Sequence, residues 1–341
     1  MSRAIAAIVL SVLVVATACG SSDKADSSGS ASGGSGGAFP VTVKSALGSA
    51  TIDKNPKRVV AIGWGSQDAA LALGVVPVGM EDLSADSEPG QKVLPWEEQR
   101  IKDLKGATPT LVTTASGQVP FEKIAALHPD VILAVYSGIT GAQFAKLSDI
   151  APTVGYPDKP WETSWQDQIA LVGRALGLTP KATVLAAETN KLISNAAKEH
   201  PEFRGKTITF GSGTTAESYN FYYDDDPRLQ LLKALGFTLA PSVSKLGGGG
   251  SSNSFAKQVS VENLGSVKTD VLVSWYLSKD IENQLEHNKL FQSIPAVKHG
   301  GYIPLTDPPL VFATSAVNVL SLPWMLHTYL PLLSKAAASA S

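Results

Sequence analysis

Aromatic residues stand at the ends of the most apolar, β-prone runs of this sequence. Trp64 closes the run 59–64 (VVAIGW), Tyr136 closes 130–136 (DVILAVY), and Trp275 and Tyr276 close 270–276 (DVLVSWY). Ligands of open α/β sheets settle beyond the carboxyl ends of the strands, so these positions, with Ser66 just past Trp64, are candidate ligand contacts. Asp307 follows the short run 302–305 in the same way, and the loops between runs add Trp96, Tyr219, Tyr222 and Tyr223. Aromatic rings offer large contact area with few rotors to freeze, which suits adhesion to a bulky ligand in a shallow cleft. Each ring also has a competing role in packing. The two roles are evenly balanced for Trp96, Trp161, Tyr219 and Tyr276, while Trp64, Tyr136 and Trp275 favour the ligand. Arg228 can meet an anionic group bidentately or pair with Asp224 or Asp225.

Residue types that catalyse are present without the spacing that catalysis needs. The five histidines, His128, His200, His287, His299 and His327, are scattered, with no H-E-x-x-H and no thiol partner. No G-x-S-x-G elbow anchors a hydrolase triad. Residues 211–216 (GSGTTA) formally fit G-x-G-x-x-A, but no helical pattern follows and no acidic residue ends a strand about 20 residues on. The run 247–252 (GGGGSS) lacks the lysine of a phosphate loop and reads as a rim loop. The reading is therefore a binding protein and not an enzyme, with no cofactor and no metal site. A net charge of -2 gives no basic footprint, which excludes nucleic acid as a partner.

The elements that would position the aromatics alternate between strand and helix. Residues 59–64 read as a strand, 68–73 as a helix closed by Gly74, and 75–78 as a second strand. Residues 121–127 read as a helix with Pro120 at its first position, leading into 130–136, an apolar run suited to a strand buried on both faces. Such alternation defines an α/β domain. With 44 % apolar and 17 % charged residues, 341 residues suffice for about two cores.

An internal repeat sets the organisation. Residues 121–136 (FEKIAALHPDVILAVY) match 261–276 (VENLGSVKTDVLVSWY) at a constant offset of 140, with Glu, Asp, Val and Tyr recurring. That spacing is too long for a solenoid and predicts two similar α/β lobes with central, mainly parallel sheets. Between them, 165–176 and 181–198 are helical, and the second stretch, free of Gly and Pro, predicts a long linking helix. The expected organisation is an N-terminal lobe at 39–178, the linking helix at 179–200 and a C-terminal lobe at 201–341.

The N-terminus carries an address. Arg3, a short apolar region and small residues before position 19 read as a secretory signal at 1–18. Cys19, the only cysteine, has no internal disulfide partner, and 19–38 is a Ser/Gly-rich tether with too little apolar surface to fold. Residues 16–20 (ATACG) resemble the lipobox of bacterial lipoproteins, although Ala16 stands where leucine is commonest. That resemblance implies lipidation of Cys19 and an extracytoplasmic, membrane-anchored protein.

The ordered set PKRVVAIGW, LALGVVPVG, FEKIAALHPDVIL, IAPTV, LLKALGF, VSVENLGSVKTDVLV and GYIPL is similar to the helical-backbone substrate-binding proteins of bacterial ABC importers. The resemblance covers roughly residues 41–333; VLPW at 93–96 and YYDDDPR at 222–228 incline it to the siderophore branch. It implies a monomer whose ligand is an Fe(III)-siderophore, with haem as an alternative held by Tyr136, Tyr222 or Tyr223. Glu122 and Glu262, each in the first turn of its helix, complement the helix dipole on any reading. The resemblance further implies that they dock on the two permease subunits.

Overall fold

The computed structural model describes residues 39–114, 117–246 and 255–340. Cys19, the signal run, the tether and the run 247–252 lie outside the described residues. A hairpin of β1 (Val41–Ser45) and β2 (Gly48–Ile52) precedes an all-parallel sheet. Its strands are β3 (Val59–Ala61), β4 (Gly79–Glu81), β5 (Thr110–Val112), β6 (Val131–Leu133) and β7 (Thr153–Val154), in the order β5-β4-β3-β6-β7. β3 and β6 are buried at every position, which is why their sequences are continuously apolar instead of alternating.

The second sheet is mixed. It contains β8 (Thr207–Gly213), β9 (Ser218–Tyr222), β10 (Thr238–Leu239), β11 (Ala256–Ser260), β12 (Val271–Tyr276) and β13 (Tyr302–Leu305). β10 and β12 run parallel to β8, and β13 runs parallel to β12; β9 is antiparallel to both β8 and β11. The series β10-β8-β12-β13 therefore repeats β4-β3-β6-β7. The repeated aspartate has one structural duty in both lobes. Asp130 Oδ2 accepts the Lys57 and Arg58 N–H groups at 2.8 and 2.9 Å, fixing the approach to β3. Asp270 Oδ2 accepts the Thr207 N–H and Oγ1–H at 2.7 and 2.8 Å at the start of β8.

Some expected boundaries move. The second strand lies at Gly79–Glu81, not 75–78, because Pro77 has no N–H to give a ladder. The run 130–136 is strand only at Val131–Leu133, and the chain beyond it turns toward the cleft. Trp96 was expected in a loop but lies on the helix Pro95–Asp103; Tyr219 and Tyr222 lie on β9. Glu122 opens the helix Phe121–Ala126, whereas Glu262 opens a 3-10 helix, Val261–Ser266.

The linking helix spans Thr179–Glu199, or about 30 Å at 1.5 Å per residue. It packs closely on the preceding helix, Trp165–Ala175: a Cβ added at Gly173 would collide with that of Ala182. One apolar cluster includes Val59 and Val131 of the first sheet, Ile193 of the linking helix, Phe210 and Val273 of the second sheet, and Leu326 of the last helix, Ser321–Ser339. Trp324 of that helix lies 4.9 Å from Trp96, so the chain end ties the second lobe back to the first.

Asp130→Ala removes two charge-assisted hydrogen bonds from the entry to β3. The expected loss is about 1–2 kcal/mol in urea unfolding, and an unchanged midpoint would refute this strand-opening role.

Candidate functional site

The strand order of each sheet reverses once, between β3 and β6 in the first and between β8 and β12 in the second. Chains leave such strand pairs in opposite directions and leave a crevice between them. In the first lobe the crevice is drawn tight. Gly63 has φ +82, and an added Cβ there would strike the carbonyl oxygen of Tyr136. The next N–H, of Trp64, donates to that carbonyl at 2.9 Å. The half-buried Trp64 ring lies 5.0 Å from Trp161 and 5.6 Å from Phe312, which the helix Pro308–Ser315 supplies.

The second lobe faces this with a hydrogen-bonded aromatic wall. Trp275, near the end of β12, donates Nε1–H to Tyr222 Oη at 3.0 Å. Phe255 stacks on Tyr222 at 6.1 Å. Arg228 sits over the Tyr222 ring, its guanidinium carbon 4.1 Å from the ring centroid. Asp226 caps the helix Pro227–Ala234 by accepting the Arg228 N–H at 2.9 Å, and its Oδ2 lies 2.8 Å from Arg228 Nη1. Arg228 and Asp226 are 5 % and 1 % exposed. Burial raises the Asp226 carboxyl, opposed by the adjacent guanidinium, a cation that does not lose its proton in proteins.

Trp64, Trp161, Tyr222, Arg228, Phe255, Trp275, Val311, Phe312, Ser315 and Asp86 enclose a cavity of about 400 Å³. A second cavity of about 540 Å³ shares Trp64, Asp86 and Trp161 and extends past Glu81, Asp82, Thr113 and Thr114. Arg228 Nε and Ser315 Oγ are buried and make no hydrogen bond among the described residues. The arrangement offers apolar faces, one buried cation and unused polar atoms, which is binding chemistry.

Four of the eleven expected ligand residues, Trp64, Tyr222, Arg228 and Trp275, come together around the smaller cavity. Arg228 pairs with Asp226, not with Asp224 or Asp225. The other seven line neither of these two cavities, and each is engaged elsewhere. Tyr136 is fully buried and donates to the Ser315 carbonyl at 3.3 Å, so it supports the floor. Ser66 is buried, and its Oγ accepts the Val135 N–H at 3.1 Å. Tyr219 is fully buried in a separate core, donating to Ser274 Oγ at 2.6 Å. Tyr276 binds the Tyr302 hydroxyl at 2.6 Å, and burial pushes its own hydroxyl up to about 12. Asp307 caps the helix Pro308–Ser315, accepting the Leu310 N–H at 3.1 Å. Tyr223 is half-buried, lines neither cavity, and donates its N–H to the Phe255 carbonyl at 3.3 Å.

Trp96 belongs to a buried acid pair behind the cleft. Its Nε1–H donates to Asp68 Oδ1 at 2.6 Å, and its ring lies 6.5 Å from Phe312. Burial, with the neighbouring Glu97, raises the Asp68 carboxyl well above the usual range. Burial pushes Glu97 up to about 7. A folded-state value above the unfolded one stabilises the protein below about pH 4.5, and that contribution is lost as pH rises toward 7.

The chain belongs to the periplasmic binding protein family, whose model matches residues 59–308. It is 27 % identical over 319 residues to the probable siderophore-binding lipoprotein YfiY of Bacillus subtilis, covering 87 % of this chain and 88 % of that one. It is 25 % identical to the Fe(3+) dicitrate-binding periplasmic protein FecB of Escherichia coli, covering 76 % and 80 %. Among solved structures it superposes on PiaA of Streptococcus pneumoniae in complex with ferrichrome with a TM-score of 0.78 and 34 % identity, over 88 % of this chain and 100 % of that one.

Glu97→Gln keeps an acceptor for the Leu94 N–H while removing the titration. Unfolding free energy of the unmodified protein should exceed its pH 8 value by about 3 kcal/mol more at pH 4.5 than the variant's does. Equal pH slopes in the two proteins would disprove the buried-acid assignment.

Proposed function

We propose that this protein captures a ferric siderophore outside the bacterial membrane and delivers it to an ABC-type importer. The observation that carries this reading is the aromatic cleft between two switch points, closed on one side by a buried, incompletely bonded guanidinium, in a chain of this family. Trp64, Trp161, Phe312, Tyr222 and Trp275 would cover the apolar frame of the chelator. Arg228 Nε and Ser315 Oγ would meet its oxygens. The chelator would supply most or all of the iron ligands. The function is binding without chemical turnover, by a monomer needing no cofactor.

Haem is less well served. The Tyr136 hydroxyl is fully buried and bonded, and burial holds it far above the range in which it ionises. Tyr222 is 3 % exposed, and its hydroxyl is occupied by Trp275.

Lipidation at Cys19 would hold the protein at the outer face of the cell membrane, with residues 20–38 as tether. No helix among the described residues is long and apolar enough to cross a membrane. Glu122 and Glu262 are exposed at equivalent places in the repeat and form no ion pair among the described residues, which supports a role for both in docking on the permease subunits.

Tryptophan fluorescence of soluble protein starting after Cys19 should show saturable quenching by at least one ferric siderophore. Trp64→Ala should weaken that binding by about tenfold or more. No saturable response to ferric hydroxamates, catecholates or citrate would sink the assignment. In cells, Glu122→Ala and Glu262→Ala should each lower iron-siderophore uptake while purified protein binds normally; full uptake by the double variant would remove the docking role.

A further inference from the structure

The charges facing the cleft are nearly all of one sign. Glu81, Asp82 and Asp86 line the larger cavity, Asp86 also lines the smaller one, and Glu88 and Asp307 line a hollow beside it. Among the described residues the cation lining these cavities is Arg228, whose charge Asp226 balances at 2.8 Å. Nearby lysines do not reverse the sign. Lys159 is paired with Glu162 at 3.1 Å and also feels Asp158 and Asp225. Lys123 acts on Asp82 from outside the cavity lining.

The carboxylates are not equivalent. Glu81 is engaged by the Gly63 N–H and by the N–H and hydroxyl of Thr114. Asp82 is engaged by Ser84 and Thr113. Among the described residues Asp86 makes no side-chain hydrogen bond and no ion pair; it is partly buried and lines both cavities, which share Trp64 and Trp161. The smaller cavity is lined by two buried polar side chains, Arg228 and Ser315, at 5 % and 6 % exposure, each with an atom that has no hydrogen-bond partner among the described residues. Because the guanidinium is already neutralised by Asp226, its free Nε–H suits an oxygen of low net charge better than a polyanion.

Resting on the function proposed above, we infer that the cleft takes a hydroxamate-type ferric siderophore that is uncharged or cationic overall, with Asp86 facing its positive substituent, and that it rejects anionic catecholate and citrate chelates. Three hydroxamates each give up one proton and leave the ferric complex neutral. Three catecholates each give up two and leave it strongly negative. Bringing such an anion beside three carboxylates costs both repulsion and desolvation, and the cleft has no unpaired cation to offset them.

A matched series isolates charge from shape: ferrioxamine B with its free amine, its N-acetylated neutral form and its N-succinylated anionic form. Ferric dicitrate and a ferric tricatecholate complete the set. Titration by fluorescence quenching should rank the amine first and the succinylated form last, about tenfold apart at low ionic strength and closer at about 1 M salt. In Asp86→Asn the ratio between those two ligands should shrink to about threefold or less. Equal affinity along the series, tighter binding of the succinylated form, or a ratio untouched by the substitution overturns the inference. Tighter binding of dicitrate or tricatecholate overturns it while leaving the siderophore function standing; silence from every ferric chelate removes both.

Discussion

A guanidinium at 5 % exposure has to be held by charge and by ring faces, and the second-lobe wall is arranged to do so. Asp226 serves Arg228 twice, as an ion partner and as the cap that starts its helix. Tyr222 lies under the cation, and Trp275 fixes the Tyr222 hydroxyl. Pairing of β9 with β11 places Tyr222 opposite Ala256, next to the rim residue Phe255. Deleting the cation would leave Asp226 buried and unpaired, so the wall and the fold of this lobe are energetically linked.

The same repeat serves two ends. Asp130 and Asp270 hold the same position in their lobes, and each ties the entry to one strand to the start of its parallel neighbour. The lobes diverge where binding is concerned. The antiparallel strands β9 and β11 have no counterpart in the first sheet, and they bring Tyr222 to the cavity. The first lobe instead contributes carboxylates and the Trp64–Trp161 pair.

The repeat, the two parallel strand series and the linking helix were legible because each leaves a continuous apolar or helix-forming run. The strand-end rule singled out Trp64 and Trp275, which line the smaller cavity, and Tyr136, which lines neither cavity. Tyr219, expected in a loop, lies on β9 and is buried. A ring at or near a strand end can turn inward when a carbonyl or hydroxyl waits there, as Ser315 and Ser274 do. Phe312 and Asp86 left no local signal. They reach the cleft through packing of the helix Pro308–Ser315 against the turn Ser84–Asp86, a contact between segments more than 200 residues apart. Trp161 has φ +61, a conformation no propensity would assign to a tryptophan.

The linking helix, locked against its neighbour at Gly173 and Ala182, and the last helix, which returns to Trp96, brace the lobes from two sides. A molecule braced in this way works as a caliper. On the docking role proposed for Glu122 and Glu262, such bracing would hold their spacing through the backbone, and a permease sensing occupancy would read it at the cleft mouth, around Phe255 and Trp161.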